Sequence, residues 1–226
     1  AKAWGSLGLT LQREGEFADA LKALQRSRDL LPPDDPNRRT MEHYVNRCKR
    51  IIDLDRKLAE IQKGTTKPEG AGERVELAQV CAARKLYRAA ARFYEDAFKE
   101  EPQLARGFRY DAACAAALAG DGKGKDDPPL NDTARTSWRN QALAWLKADL
   151  ELWGRQVKGG PPAARTAAVR RLAQWQLDPA LSSVRGSAIA DLPEAEREAW
   201  RQLWADVGIL LARVKPPTKE GAPQKP

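Results

Sequence analysis

RVELAQVCAARKLYRAAARFYEDAFKEEP, residues 74–102, has a near-copy seventy positions earlier in the chain. Trp4, Leu7, Gly8, Leu11, Gly15, Phe17, Ala20, Leu24, Ser27 and Pro32 stand in the order of Arg74, Leu77, Ala78, Cys81, Lys85, Tyr87, Ala90, Tyr94, Ala97 and Pro102. Large, small and aromatic positions recur together and each copy closes on proline, which marks a repeated structural unit. Within the first copy, positions 4, 7, 8 and 11 share one helical face. Trp4 and Leu7 are expected to supply bulk on it, and Gly8 a notch for a second helix. Gly15 breaks the first helix and permits a turn. Phe17, Ala20, Leu21, Leu24 and Ser27 form the stripe of a second helix, which Pro32 and Pro33 stop. A lone helical hairpin buries too little apolar surface to offset chain entropy, so such units stack on neighbours.

The remaining chain reads as more helix. Residues 38–61 carry one long stripe from Met41 to Ile61, in the slot between the two copies, and predict either one long helix or a degenerate repeat. Residues 63–72 (KGTTKPEGAG) are a polar joint. A third first-helix is expected over 104–120, with Phe108, Asp111, Ala112, Ala115 and Leu118 in register. A polar insertion, 121–132 (DGKGKDDPPLND), delays its second helix to 136–153, with Trp138, Trp145 and Trp153 along one side. A further helix fits 163–177, an irregular stretch 180–191, and a final capping helix 192–214 with Pro193 and three glutamates at its start. Residues 215–226, with four prolines and no apolar run, predict a disordered tail. The expected domains are 1–63, a hairpin with its packing helix; 71–156, two further hairpins with the insertion; and 162–214, a helical cap.

The unit resembles the tetratricopeptide repeat (TPR), of about 34 residues with a W-x₂-L-G-x₂-Y…A-x₃-F…P pattern. Trp4, Leu7, Gly8, Ala20 and Pro32 fall in that order, with Leu11 and Leu24 in the aromatic places. The resemblance implies an all-α array of helical hairpins in a right-handed superhelix with C-terminal capping helices. Peptides of that family lie in a concave groove lined by the first helices of successive units. Transferred here, groove positions are Lys2, Gly5, Leu9, Gln12 and Arg13, then Val75, Gln79, Ala82 and Ala83, then Arg106, Arg109, Ala113 and Ala116. Of these, Lys2, Leu9, Arg13, Gln79, Arg106 and Arg109 are the candidate peptide-binding residues. The carboxylate-clamp form uses asparagines and lysines at such places. No asparagine stands there, which disfavours chaperone C-terminal tails, while Arg13, Arg106 and Arg109 favour an anionic segment. The run from Phe108 to Leu211 (FRYDAACAAALAG, WRNQALAWLKADLELW, LPEAEREAWRQLWADV) is similar to the C-terminal TPR region of some bacterial serine/threonine protein kinases. The chain has no HRD, DFG or strand-borne GxGxxG, so the resemblance implies a non-catalytic part of a larger signalling protein.

Catalytic readings find no support in the residues. GDGKGK at 120–125 lacks the first glycine and the Ser/Thr of a phosphate loop and the alternating acids of an EF-hand. One histidine, His43, and three cysteines outside any CxxC pair argue against a metal or cofactor site. No apolar run spans a membrane and no leader pattern appears, so a cytoplasmic location is expected. The net charge of +8 is informative. Within 133–177, eight basic residues (Arg135, Arg139, Lys147, Arg155, Lys158, Arg165, Arg170, Arg171) face two acids, Asp149 and Glu151, a net of +6. That excess is either a solvated face or a surface for an acidic protein partner. A nucleic-acid-binding module, the tryptophans acting as a stacking platform, and a self-association element are the competing readings.

Overall fold

A computed structural model describes residues 1–212, and the tail expected at 215–226 lies outside them. Among the described residues regular structure is helical throughout. In chain order come α1 (Lys2–Glu14), α2 (Phe17–Asp29), α3 (Pro36–Gln62), α4 (Ala71–Ala83) and α5 (Tyr87–Glu100). They are followed by α6 (Ala105–Asp121), α7 (Asp132–Gly159), α8 (Pro162–Trp175) and α9 (Glu194–Ala212). The chain divides into two compact units, Ala1–Phe108 with Gly122–Asp132, and Arg109–Asp121 with the residues from Thr133 onward. The division cuts through α6 and through the segment 71–156, and it detaches the insertion from the helices that flank it.

The repeat is visible down to its hydrogen bonds. Gly15 ends α1 in the left-handed region at φ 84°, and Lys85, its counterpart, stands at φ 63°. Glu16 N–H donates to Leu11 O at 2.9 Å, and Leu86 N–H donates to Cys81 O at 2.8 Å. Ala20 N–H and Ala90 N–H then donate to Glu16 O and Leu86 O, both at 2.9 Å. One turn geometry thus reverses the chain twice, with glycine relaxed in the first copy and lysine held against its preference in the second. In the first hairpin α1 approaches α2 through its glycines: a Cβ on Gly8 would lie 2.7 Å from Leu24 Cγ and 3.1 Å from Ala20 O. In the second, Ala78 takes the same place, fully buried with Ala90, Tyr94 and Ala97.

The expectation for Trp4 and Leu7 is overturned: both are 44% exposed. The contact with α2 runs through Gly5 and Gly8, whose bare backbones let the helices close. Trp4 and Leu7 lie on the neighbouring flank, each with close to half of its surface open to solvent. Phe17 does pack, 3% exposed, with the Arg84 guanidinium 4.8 Å above its ring. Residues 38–61 resolve as a single helix, α3, of 27 residues. Asp35 caps it, accepting from Asn37 N–H at 2.7 Å, and Pro36 opens its first turn, where no amide partner is needed. Val45 and Cys48 of α3 join Ala20 and Leu24 of α2 in one core cluster, on which Leu9, Leu11, Leu21 and Tyr44 pack.

The second unit is built on α7, which at 28 residues is longer than the 136–153 expected. The alanine run of α6 is a slim rod: Ala112, Ala113, Ala115, Ala116, Ala117 and Ala119 are all buried. Tryptophans fill the space, with Trp175 and Trp200 at 1% and 0% exposure and Trp145 at 9%. Tyr110 stacks on Trp175 with ring centroids 5.5 Å apart and donates its hydroxyl to Asp178 at 2.7 Å. The stretch 180–191, expected to be irregular, winds into two 3₁₀ segments, Pro179–Val184 and Gly186–Asp191. They bury Leu181, Val184 and Ile189. The last helix starts at Glu194, after Pro193, and 213–214 lie outside the described residues.

Candidate functional site

A set of charged side chains in the first unit joins α3 to α4. Arg50 of α3 donates to Glu76 of α4 at 2.8 Å, and Lys57 donates to Glu73 at 2.8 Å. Arg84 grips Asp55 with both Nε (3.0 Å) and Nη2 (2.5 Å). Burial would raise the pKa of Glu73, but bonds from Lys57 and the Glu69 amide outweigh it and hold the carboxyl below its ordinary range. These ties lay α3 along one face of α4.

The insertion is not a free loop. Asp126 reaches back to the N-terminus of α5 and accepts from Arg88 N–H at 2.8 Å and Ala89 N–H at 3.1 Å. Lys125 N–H donates to Lys85 O at 2.7 Å, and the Arg88 side chain donates to the carbonyls of Asp127 and Pro128. The loop therefore supplies the N-cap that α5 lacks from its own preceding residue, Leu86.

The sequence-derived groove positions scatter. Lys2, Arg13 and Arg106 are exposed, and Arg13 folds onto its own helix, donating to Leu9 O. Gln79 is half-buried on α4. Leu9 is a correction: it packs against the core cluster of α2 and α3, because the stripe that meets that cluster includes it. Arg109 is another. It falls in the second unit, where its Nη1 donates to Asp149 at 2.7 Å and is committed to holding α6 on α7. Gly5, Val75, Ala113 and Ala116, also placed in the groove by the repeat pattern, are buried.

The basic surface of the second unit is smaller than its composition, and more defined. Arg139 is withdrawn from it, with Nε and Nη2 each 2.7 Å from the Glu196 carboxylate and Nη1 2.7 Å from Gly120 O. Arg135 is likewise turned inward, onto the carbonyls of Gly120 and Asp121. What remains outside is a groove of about 710 Å³ between the C-terminal half of α7 and α9. Leu150 and Leu210 form its floor, and Ile209, 52% exposed, stands at its edge. Gly154 brings α9 close, with Leu210 Cδ1 3.4 Å from where its Cβ would stand. The cations Lys147, Arg155 and Lys158 line the α7 rim, with Glu151 between them. Among the described residues none of the three makes a hydrogen bond or ion pair. On the other rim Asp206 is engaged by Gln202 at 2.8 Å. Three cations against Glu151 and Asp206 leave the groove a net of +1 beside its apolar floor, which suits an amphipathic anionic segment. This groove was missed in the sequence because its two walls are fifty residues apart; only the +6 excess hinted at it.

Burial pushes the Cys81 thiol up to about 12 and raises Cys48 as well, so both stay protonated. His43 is exposed beside Tyr44. Among the described residues no three acidic, cysteine or histidine side chains converge as metal ligands, and no helix is long and apolar enough to cross a membrane. Compared with protein-family models, curated proteins and solved structures, the chain matches none of them.

Proposed function

We propose that this chain is a non-catalytic protein-interaction scaffold of the TPR type, whose hairpins present helix faces to an acidic partner. The observation that carries this reading is the duplicated hairpin turn, with matching hydrogen bonds at Leu11/Glu16 and Cys81/Leu86 and left-handed residues at 15 and 85. A repeated helical pair is a unit for building extended binding surfaces. The similarity of 108–211 to kinase C-terminal repeats supports a cytoplasmic role as part of a larger bacterial signalling protein. The α7–α9 groove, with Lys147, Arg155 and Lys158 free on its rim, is the surface best suited to the partner.

The test is anisotropy with a fluorescent amphipathic peptide alternating Glu/Asp and Leu faces, set against a labelled oligonucleotide, each over a salt series. Binding of the peptide, weakened at least tenfold by Lys147→Glu with Arg155→Glu, supports the scaffold. Tighter binding of the oligonucleotide with a steep salt slope would replace it with the nucleic-acid reading. Against that reading, Trp145, Trp175 and Trp200 of the platform are buried, as is Arg139. Charge reversal at Lys2, Arg13 and Arg106 tests the first unit separately. Arg109 is left out, because its loss would strand Asp149.

A further inference from the structure

The charges beside the α7–α9 groove are ordered along it, and two contacts fix the order. Glu196, in the first turn of α9, accepts from Arg139 and Thr136 of α7 at 2.7 and 2.9 Å. Leu210, near the other end of α9, lies against Gly154. The two offsets, 57 and 56 residues, agree, so the helices run side by side in the same direction. Asp206 therefore stands level with Leu150 and Glu151, across the groove. Lys147 lies about one turn to one side of that level, Arg155 about one turn to the other, and Lys158 nearly a turn beyond. Along its length the groove thus presents plus, then minus from both rims, then plus. Spacing of four residues would let Glu151 pair with Lys147 or Arg155 on its own helix. Among the described residues it forms no ion pair with either and stays exposed. From 152 to 177 the sequence has no acid to offset Arg155 or Lys158.

We propose that the partner segment of this groove is an amphipathic helix whose polar edge carries a central cation flanked by acids. The inference rests on the reading of the groove as a docking surface and specifies what docks there. A groove between two helices running side by side takes a third helix along it, whose apolar stripe covers Leu150, Leu210 and Ile209. Such a helix rises at the same rate as α7, so its charges recur at the same interval. It sets an acid opposite Lys147, a cation opposite Glu151 and Asp206, and acids opposite Arg155 and Lys158. Written in the direction of α7 the pattern is Glu-x₃-Lys-x₃-Glu-x₂-Glu. Because one end has one acid and the other two, a helix bearing it lies in one direction only. A uniformly acidic helix sets like charge against the two central carboxylates, and the reverse order clashes at every level. Each exposed pair changes affinity only about twofold, so the preference is the sum of several and weakens with salt.

The probes are three labelled helical peptides that share one leucine stripe and differ only in charge order: acid–base–acid as written above, all acidic, and base–acid–base. Each is titrated with the full chain by anisotropy at low salt. The first should bind about fivefold more tightly than the all-acidic peptide, and the third most weakly. Ile209→Glu should weaken all three. Glu151→Gln with Asp206→Asn removes the central carboxylates at nearly constant shape, and should make the all-acidic peptide the tightest. If the all-acidic peptide binds the parent as tightly as the first or more so, the charge order is refuted while the groove still docks a peptide. An unchanged ranking in the Glu151→Gln, Asp206→Asn variant refutes it as well. If none of the three binds saturably, the docking reading of the groove fails and the charge order fails with it.

Discussion

Arg139→Met should be among the most damaging single substitutions in the second unit, and its damage should fade with acid. The arginine side chain is 8% exposed and that of Glu196 4%. Four hydrogen bonds of 2.7–2.8 Å satisfy the guanidinium, two of them to the carboxylate. Removing the arginine leaves Glu196 buried with Thr136 as its remaining hydrogen-bond donor, and a stranded buried charge of this kind costs about 3–5 kcal/mol. Replacing both members, Arg139→Met with Glu196→Leu, removes the charge as well as its partner. The double variant should recover most of the loss and lie within about 1–2 kcal/mol of the parent. The sign of the pH dependence follows from Glu196. Burial alone would raise its pKa, but bonds from Arg139 and Thr136 prevail and hold it below the ordinary 4.5. A depressed folded value stabilises the parent above pH 4.5, and that stability is lost as pH falls through the folded value. In Arg139→Met burial is opposed by the Thr136 bond alone, so the carboxyl titrates higher than in the parent and protonation relieves the penalty. The gap between variant and parent should therefore be widest at pH 7 and narrow steadily toward pH 4. Urea unfolding followed by tryptophan fluorescence is suited to this, because six of the seven tryptophans lie in the second unit. A loss below about 1 kcal/mol at pH 7 would refute the reasoning. So would a pH-independent gap, or a double variant no better than the single one.

Two other substitutions test the repeat itself. Lys85→Gly should stabilise the second hairpin by about 1 kcal/mol, since lysine in the left-handed region is strained where Gly15 is not. Slower hydrogen exchange at the Leu86 and Ala90 amides is the expected sign, and unchanged or faster exchange would count against it. Asp126→Ala should remove both capping bonds to α5, at about 1–2 kcal/mol, and speed exchange of the Arg88 and Ala89 amides roughly 5–30-fold. Asp126→Asn, which keeps one acceptor oxygen, should fall between; equal exchange in all three proteins would show that the loop merely lies nearby.

The hairpins were legible because their signals are local. Glycine or its counterpart at the turn, an apolar stripe on either side and a closing proline need no knowledge of the rest of the chain. The flank of Trp4 and Leu7 was misread for the same reason: helical spacing says which residues share a face but not which face a neighbour covers. Two glycines permitting close approach outweighed two large side chains. The insertion was legible as a loop, whereas the reach of Asp126 to the start of α5 was not, since no local pattern records a cap supplied across thirty-seven residues. The groove positions fared unevenly. Exposed Lys2, Arg13 and Arg106 follow from helical phase, while Leu9 and Arg109 were claimed by partners elsewhere in the fold. Arg139 shows the general hazard of counting charge along a segment, where a cation destined for the interior looks like one bound for the surface.

The cap on α5 bears on how the chain is made. Emerging from a ribosome, the first 108 residues carry both hairpins and α3 but not Asp126, so α5 begins life with its opening amides unsatisfied. The missing piece arrives only after the whole of α6, most of which (109–121) belongs to the other unit, has been synthesised. Translation order and folding order are thus interleaved: the nascent amino-terminal unit waits on a segment that follows part of its neighbour, and a fragment ending at Phe108 would lack it for good.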